Sequence, residues 1–375
     1  MVRGDGVMTK TTIAMAKAGT EAAARWDKAE VWSWYGRQPW LTGANYVPAT
    51  AGNQLEMWGP RGFDPERIDR ELGLAATQFG MNTTRVFLID LLWTADAAGF
   101  TRRIDQFLTI ADRHGIRPLF VLFDSCWGAE PRLDGANDPE PGVHNSAWLQ
   151  SPGEPMLRDR WNWHLLRNYV EGVVGAFARD RRVLGWDVWN EPCNPGNPHR
   201  LNPKAKAKAA AVAELLPRIF GWVRNQAPVQ PVTSGLWQHD DWQPGAKLTA
   251  IERTQVELSD FLSFHDYGDA EQFRRRAESL LAYGRPVVCT EWLARPTGST
   301  VDAILPVGHA LGIGMMNWGL VAGRSQTVFP WDSWVAPYPQ APDRWFHDLL
   351  HADGLPFDPR EAALFRRYRE ARLAA

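Results

Sequence analysis

The stretch Trp186–Pro192, WDVWNEP, decides the fold. The run leading into it, VLGWDVW from Val183 to Trp189, is apolar and β-prone except for Asp187, as a strand covered on both faces is. Pro192 ends the strand, because proline has no backbone N–H to donate and its ring disfavours continuation. The strand therefore presents Asn190 and Glu191 at its C-terminal end, where parallel barrels keep their chemistry. Taken alone, Glu191 has a plainer reading as an exposed glutamate at a strand end.

A second stretch, RPVVCTEW from Arg285 to Trp292, repeats the pattern. It is a short apolar strand ending in Glu291 beside a tryptophan, one hundred residues after Glu191. Only a fold can bring these two carboxylates together. Two carboxylates flanking one sugar bond are what glycoside hydrolysis needs, one as acid/base and the other as nucleophile or base. Aromatic neighbours add flat apolar faces for sugar rings and a dry setting that raises the pKa of the acid.

WNEP followed about a hundred residues later by a strand ending in TEW resembles the clan A glycoside hydrolases, and family 5 in particular. The similarity runs roughly from Trp40 to Thr327. It implies a (β/α)8 TIM barrel with Glu191 as acid/base at the end of strand 4. Glu291, at the end of strand 7, is then the nucleophile of a retaining double displacement, and Asn190 binds the sugar 2-hydroxyl. Arg85 sits inside the apolar run MNTTRVFLI, and a buried arginine is costly unless paired. The resemblance makes it the support of Glu291. In DFLSFHDYG it places His265 against sugar or acid/base and the Tyr267 hydroxyl on the nucleophile. It makes Trp318 the platform beneath the sugar that becomes covalently attached. The family often carries a histidine near the end of strand 3. IRPLFVLFDSCW has none, and His144 in the following loop is the available substitute.

At 375 residues the chain has room for a barrel of ~250 residues with long loops. We expect residues 1–25 to form a tail or short helix and residues 26–375 to form the catalytic barrel. The formal net charge of −2, without long charged blocks, gives no sign of nucleic acid or anionic membrane as a partner. The one basic cluster, KAKAK at 204–208, reads as a solvated helix face. Twenty tryptophans are the outlier of the composition, and at strand ends and in loops they suit carbohydrate stacking. Cys126, Cys193 and Cys289 lack metal or disulfide spacing and read as buried thiols. No HxH or HExxH grouping is present, so neither metal nor cofactor is expected. Without an apolar leader core or a run of ~20 apolar residues, the expected location is cytoplasmic. That location favours soluble substrates over insoluble polymer.

The other strands follow in order: Trp40–Pro48, Met81–Ile89, Ile116–Trp127, Pro231–Gln238, Asp260–Gly268, and an eighth within residues 312–327. They place Asp124 and Trp127 at the end of strand 3, and Trp237 at the end of strand 5, on the same face. Trp331 and Trp334 follow strand 8 in a loop leaving that face. The long loop of residues 128–155 is expected to wall the cleft, with CNPGNPHRLNP over the site. RWFHDLLHADG and EAALFRRYREARL read as helices completing the outer ring. The function this predicts is retaining hydrolysis of soluble β-linked oligosaccharides or glycosides, of exo-acting β-mannosidase or β-glucosidase type. The alternatives are an endo-acting β-mannanase, cellulase or xylanase, or a transglycosylase on the same site. A non-catalytic sugar-binding barrel fits less well, because both glutamates retain their Arg and Tyr supporters. Oligomeric state is not legible.

Overall fold

The computed structural model describes residues 24–134, 138–192, 194–196 and 204–373. Cys193, most of the CNPGNPHRLNP loop and nearly all of the expected tail lie outside the described residues. Eight strands form one parallel sheet: β1 Thr42–Asn45, β2 Thr83–Phe87, β3 Arg117–Val121, β4 Gly185–Asp187, β5 Val232–Thr233, β6 Leu262–His265, β7 Val287–Glu291 and β8 Gly314–Asn317. The strand order is β5-β4-β3-β2-β1-β8-β7-β6. The two ends meet through a Leu236–Phe264 bridge and backbone bonds from Asp260 N to Val232 O and His265 N to Leu236 O. Helices alternate with the strands, and the molecule is a (β/α)8 barrel. Each strand is shorter than its apolar run in the sequence. In a barrel the strands tilt and stagger, so only part of each run finds ladder partners on both sides.

The helices start and stop where local chemistry dictates. Pro65–Phe79 begins after Asp64, whose carboxylate accepts from Arg67 N at 2.9 Å. It ends at Gly80, whose φ of +68° suits glycine. Ile68, Leu72 and Ala75 lie buried on one face, as their spacing predicts.

The barrel interior is apolar at one end and polar at the other. Helix Lys28–Gly36 plugs the N-terminal end, seating Val31, Trp34 and Tyr35 against Leu119, Leu184, Phe261, Val288 and Met316. The C-terminal end holds a buried layer of Asn45, Arg85, Asp187 and Glu291. The plug fixes which end of the barrel is open to ligands.

Two expectations are corrected. Residues 344–354 are not helical. Their backbone instead bonds to the loop after β8, with Phe346 N on Val328 O, His347 N on Thr327 O and Leu350 N on Leu320 O. KAKAK is not uniformly solvated. Lys208 is buried, and its Nζ donates to Ser125 O at 2.6 Å and Gln150 Oε1 at 2.7 Å. Its long apolar stem carries the charge under the loop after β3. Among the described residues no helix is long and apolar enough to cross a membrane.

Candidate active site

A cavity of ≈ 430 Å³ opens at the C-terminal ends of the strands and is lined by both glutamates. Glu291 is the last residue of β7 and Glu191 follows β4. One carboxylate oxygen from each, with a ring nitrogen of His265, lie within 4.8 Å of one another. Glu191 has φ +44°, a conformation uncommon for a non-glycine residue. The turn is held by Asn194 N donating to Glu191 O at 2.8 Å. The β-bulge between Phe264 and His265 sets His265 opposite Glu291. Bulges of this kind re-aim side chains beside active sites.

Arg85 organises the polar layer. It is fully buried, and each of its five N–H donors has an acceptor. Nε and Nη2 reach Asp187 Oδ2 at 3.0 and 2.8 Å. Nη1 serves Asn45 Oδ1 at 2.9 Å and Glu291 Oε1 at 2.8 Å. Nη2 also serves Asn190 Oδ1 at 2.7 Å. The expected bond to Glu291 is present, and Asp187 is a second ionic partner that sequence reasoning left as an exception in an apolar strand. Glu291 Oε2 accepts from the Tyr267 hydroxyl at 2.8 Å.

Glu191 has a different setting. Its Oε2 accepts from Asn194 Nδ2 at 2.6 Å and lies 3.4 Å from Cys126 Sγ, and its Oε1 is 2.8 Å from His265 Nδ1. Burial pushes both glutamates above their ordinary values. At Glu291 the positive charge of Arg85 and the Tyr267 hydroxyl act the other way. The phenol of Tyr267 is itself pushed well up, by burial first and then by Glu291, so it stays a donor. Two neighbouring carboxyls in a buried site do not readily both ionise. The shared proton is best held by Glu191, since Glu291 is in direct contact with the Arg85 guanidinium at 2.8 Å whereas Glu191 Oε2 meets the neutral donors Asn194 and Cys126. Burial lowers His265 to about 4, leaving a neutral imidazole that can accept from protonated Glu191 or donate to its carboxylate.

The remaining predicted residues divide into liners and supports. Asn190, Trp127, Trp237, Trp318 and Trp331 line the cavity. Trp318 packs edge-on to Phe87 and Trp148, at 5.7 and 5.6 Å between ring centroids. Trp331 stands perpendicular to Tyr267 at 5.2 Å, and Trp127 lies 4.5 Å from Trp334. Asp124 is fully buried behind the site. It accepts from Asn190 Nδ2 at 2.9 Å and Trp148 Nε1 at 2.6 Å, so it orients Asn190. Burial raises Asp124 to about 6.

Sequence reasoning missed Asn194, Cys126 and His347 as parts of the site. Asn194 lies three residues past Glu191 in a Pro/Asn-rich loop, and that short spacing was its only signal. Cys126 was read as a buried thiol, and burial does push it well above the usual thiol range. His347 fell in the segment taken for a helix.

Glu191, His265 and Glu291 are also the group whose donor atoms have metal-holding spacing among the described residues. Both carboxylates are already engaged by Arg85, Tyr267 and Asn194, and the guanidinium 2.8 Å from Glu291 would repel a cation. The arrangement suits proton transfer and nucleophilic attack better than metal binding.

The loops after β3 and β8 interlock over one side of the cavity. Asn145 N donates to Ser325 O, His144 N to Ser333 Oγ, Trp334 Nε1 to His144 O, and Tyr338 N to Gly142 O, at 2.7–3.0 Å. Gly142, at φ +76°, is obligatory there, because a Cβ would lie 1.9 Å from Tyr338 O.

No protein-family model matches the chain, and no curated protein matches it in sequence. Solved structures do. The exo-β-1,4-mannosidase Op5Man5 of Opitutaceae bacterium strain TAV5 superposes with a TM-score of 0.59 at 19% identity, over 89% of this chain and 60% of that one. The chain thus spans 60% of the length of that relative. A variant of the GH5_18 protein of Streptomyces cattleya, in complex with Manβ1-4GlcNAc, gives 0.60 at 15% identity, over 89% and 81% of the two chains. The endo-1,4-β-D-mannanase of Thermotoga petrophila gives 0.54 at 15% identity, over 88% and 99%. At such identities the likeness establishes the shared fold, a (β/α)8 barrel with its open face at the strand C-termini.

Proposed function

We propose that the chain is a retaining β-glycoside hydrolase, akin to glycoside hydrolase family 5, which removes single sugars from short β-linked oligosaccharides or glycosides. The observation that carries this reading is the pair of buried glutamates, with an oxygen of each within 4.8 Å of the other. Retaining enzymes hold their carboxyl groups ~5–5.5 Å apart, whereas inverting ones leave room for a water at ~6.5–9.5 Å. The unlike partners of the two carboxyls support the division of labour.

In the first step Glu291 Oε attacks the anomeric carbon while the bond to the leaving oxygen breaks. That oxygen takes the proton of Glu191. In the second step Glu191 removes a proton from water, whose oxygen replaces Glu291 at the anomeric carbon. Glu191 is then protonated again and Glu291 is a free carboxylate. Asn190 is the group for the sugar 2-hydroxyl. Its Oδ1 is committed to Arg85, so the contact falls to Nδ2, where one N–H holds Asp124 and the other meets only Cys126 Sγ at 3.5 Å. Trp318 is the platform beneath the sugar.

Exo action is favoured by the interlocked loops after β3 and β8, which are tied together beside the cavity and would limit how far a chain extends past the glycone. A β-mannoside substrate agrees with the mannosidase and mannanase among the structural neighbours and with the disaccharide bound in one of them, and a β-glucoside with a β-glucosidase that shares the fold.

The test is release of 4-nitrophenol from β-mannoside and β-glucoside, with Glu291→Ala alongside, and product analysis on β-1,4-mannotriose and cellotriose. Cleavage by the wild type alone, with monosaccharide as the first product, is expected. Equal turnover in Glu291→Ala would remove that residue as nucleophile. Internal cleavage of longer oligosaccharides would replace exo by endo action.

A further inference from the structure

Three polar side chains on the side of the cavity where the loops after β3 and β8 interlock have no part in the chemistry above. His144 and Asn145 come from the loop after β3, and His347 from the segment following β8. All three line the cavity although each residue is about 2% exposed or less. The two imidazoles lie 5.2 Å apart between ring centroids. Each is fixed in the same sense. His144 Nδ1 is 2.8 Å from Phe329 O, and His347 Nδ1 bonds Leu293 O.

A ring nitrogen facing a carbonyl must carry the proton, so in both neutral rings Nε2 is left as an acceptor. Burial keeps the rings neutral, lowering His144 to about 4 and His347 well below the ordinary histidine range. Asn145 adds a third acceptor, because its Oδ1 is buried without a partner. Its backbone is held at φ +47° with N–H on Ser325 O, so the amide is presented rather than loose. Arg295 fixes the other half by donating to Trp345 O, His347 O and Asp348 O while paired to Glu361.

A buried acceptor without a donor, as at Asn145 Oδ1, is costly, and beside two imidazoles whose Nε2 can only accept it calls for a ligand rich in O–H groups. His347 packs 5.6 Å from Tyr267, whose hydroxyl bonds Glu291, and Asn145 and Trp318 line one pocket beside it. On the glycosidase reading, the side next to the nucleophile and the platform tryptophan is the one that takes the glycone.

We propose that His144, His347 and Asn145 form an acceptor wall that binds donor hydroxyls of the glycone. The wall restricts the site to neutral hexopyranosides with free ring or 6-hydroxyls and excludes uronides. A uronide carboxylate would bring further lone pairs against lone pairs in a dry site, and an O-substituted hydroxyl would have no proton to give. This proposal rests on the glycosidase reading for its choice of ligand, and its test is made by binding as well as by turnover.

The probes are 4-nitrophenyl β-mannoside and β-glucoside, their 3-, 4- and 6-deoxyfluoro analogues, and 4-nitrophenyl β-glucuronide. Fluorine keeps the size of a hydroxyl and cannot donate. Binding is measured calorimetrically on Glu291→Ala, alone and combined with His144→Phe, His347→Phe or Asn145→Leu. Release is measured on the wild type. A site built around a substrate hydroxyl rejects the analogue lacking it by large factors. We expect at least one fluoro analogue to bind about 100-fold more weakly than its parent, and the glucuronide not to bind. That ratio should fall below about fivefold in the variant that loses the matching acceptor.

Fluoro analogues that bind like their parents overturn the wall even if no wall variant folds, since that arm needs none of them. The same ratio in every folded wall variant also overturns it. Hydroxyl-dependent binding without any release leaves the wall standing and removes the hydrolase reading. Absence of binding to either parent glycoside overturns both.

Discussion

Replacing Arg85 by lysine keeps the positive charge and removes the geometry. Arg85 makes five hydrogen bonds from a fully buried position, to Asn45, Asp187, Asn190 and Glu291. A lysine ammonium has at most three donors on one atom, so at least two bonds are lost. Hydrogen bonds to charged groups contribute roughly 1.5–3 kcal/mol each, so the loss is at least about 3 kcal/mol. If it falls on the nucleophile in the transition state, kcat/KM drops by about 100-fold. If it falls on the folded state, the melting temperature drops and the surviving enzyme keeps its rate.

The assay separates these outcomes by measuring kcat/KM against pH on an aryl β-glycoside, together with thermal unfolding. Arg85 lowers the pKa of Glu291, which is otherwise raised by burial. Lysine keeps the charge but loses the 2.8 Å hydrogen bond to Glu291 Oε1, so that pKa should rise and activity should begin to fail at higher pH on the acid side. A variant within threefold of wild type at every pH, with an unmoved acid limb, would refute the role given to Arg85. Arg85→Met should do worse. It strands Asp187 and Glu291 as buried carboxylates without a cation, and breaking buried pairs in this way costs about 3–5 kcal/mol.

Other substitutions test the remaining groups. Glu191→Ala should cleave aryl glycosides with good leaving groups far better than unactivated disaccharides, because only the latter need the acid; equal losses would displace Glu191. In Asn194→Ala, Glu191 loses a donor that lowers its pKa, so the alkaline limb of kcat/KM should move to higher pH. An unchanged limb would mean that the 2.6 Å contact is not made in solution. Asp124→Asn should lower kcat by roughly 10-fold to 100-fold through misorientation of Asn190, on the scale of a lost buried hydrogen bond of about 1–3 kcal/mol. A normal kcat would make Asp124 purely structural.

The sequence carried the barrel and its open face through eight apolar runs and two glutamates at strand ends. It carried Arg85 as well, a charged residue inside a run that should be apolar, while Tyr267 and His265 came from the resemblance of FHDY to family 5. Asp187 satisfied the same rule and was still passed over. A lone aspartate in a strand acquires meaning only when its partner is known, and Arg85 lies 102 residues away. Asn194 and His347 could not be placed because they sit on irregular backbone, where no period fixes the direction of a side chain. The segment around His347 has a helical apolar pattern. Its backbone donors were claimed by carbonyls of the loop after β8, a long-range competition that local pattern cannot register.

The double bond from Arg85 to Asp187 has a further consequence, in charge balance. With Arg85 and Asp187 opposing one another, the negative charge of Glu291 is the net charge of the buried layer. In the proposed mechanism, conversion of Glu291 to an ester would leave that layer neutral, with no cation stranded in the barrel. Without Asp187, each covalent intermediate would expose an unpaired guanidinium in a dry interior, pulling the ester back toward its carboxylate. On that mechanism Asp187 is a counterweight, and it would keep the covalent state electrically quiet while the leaving group departs and water enters.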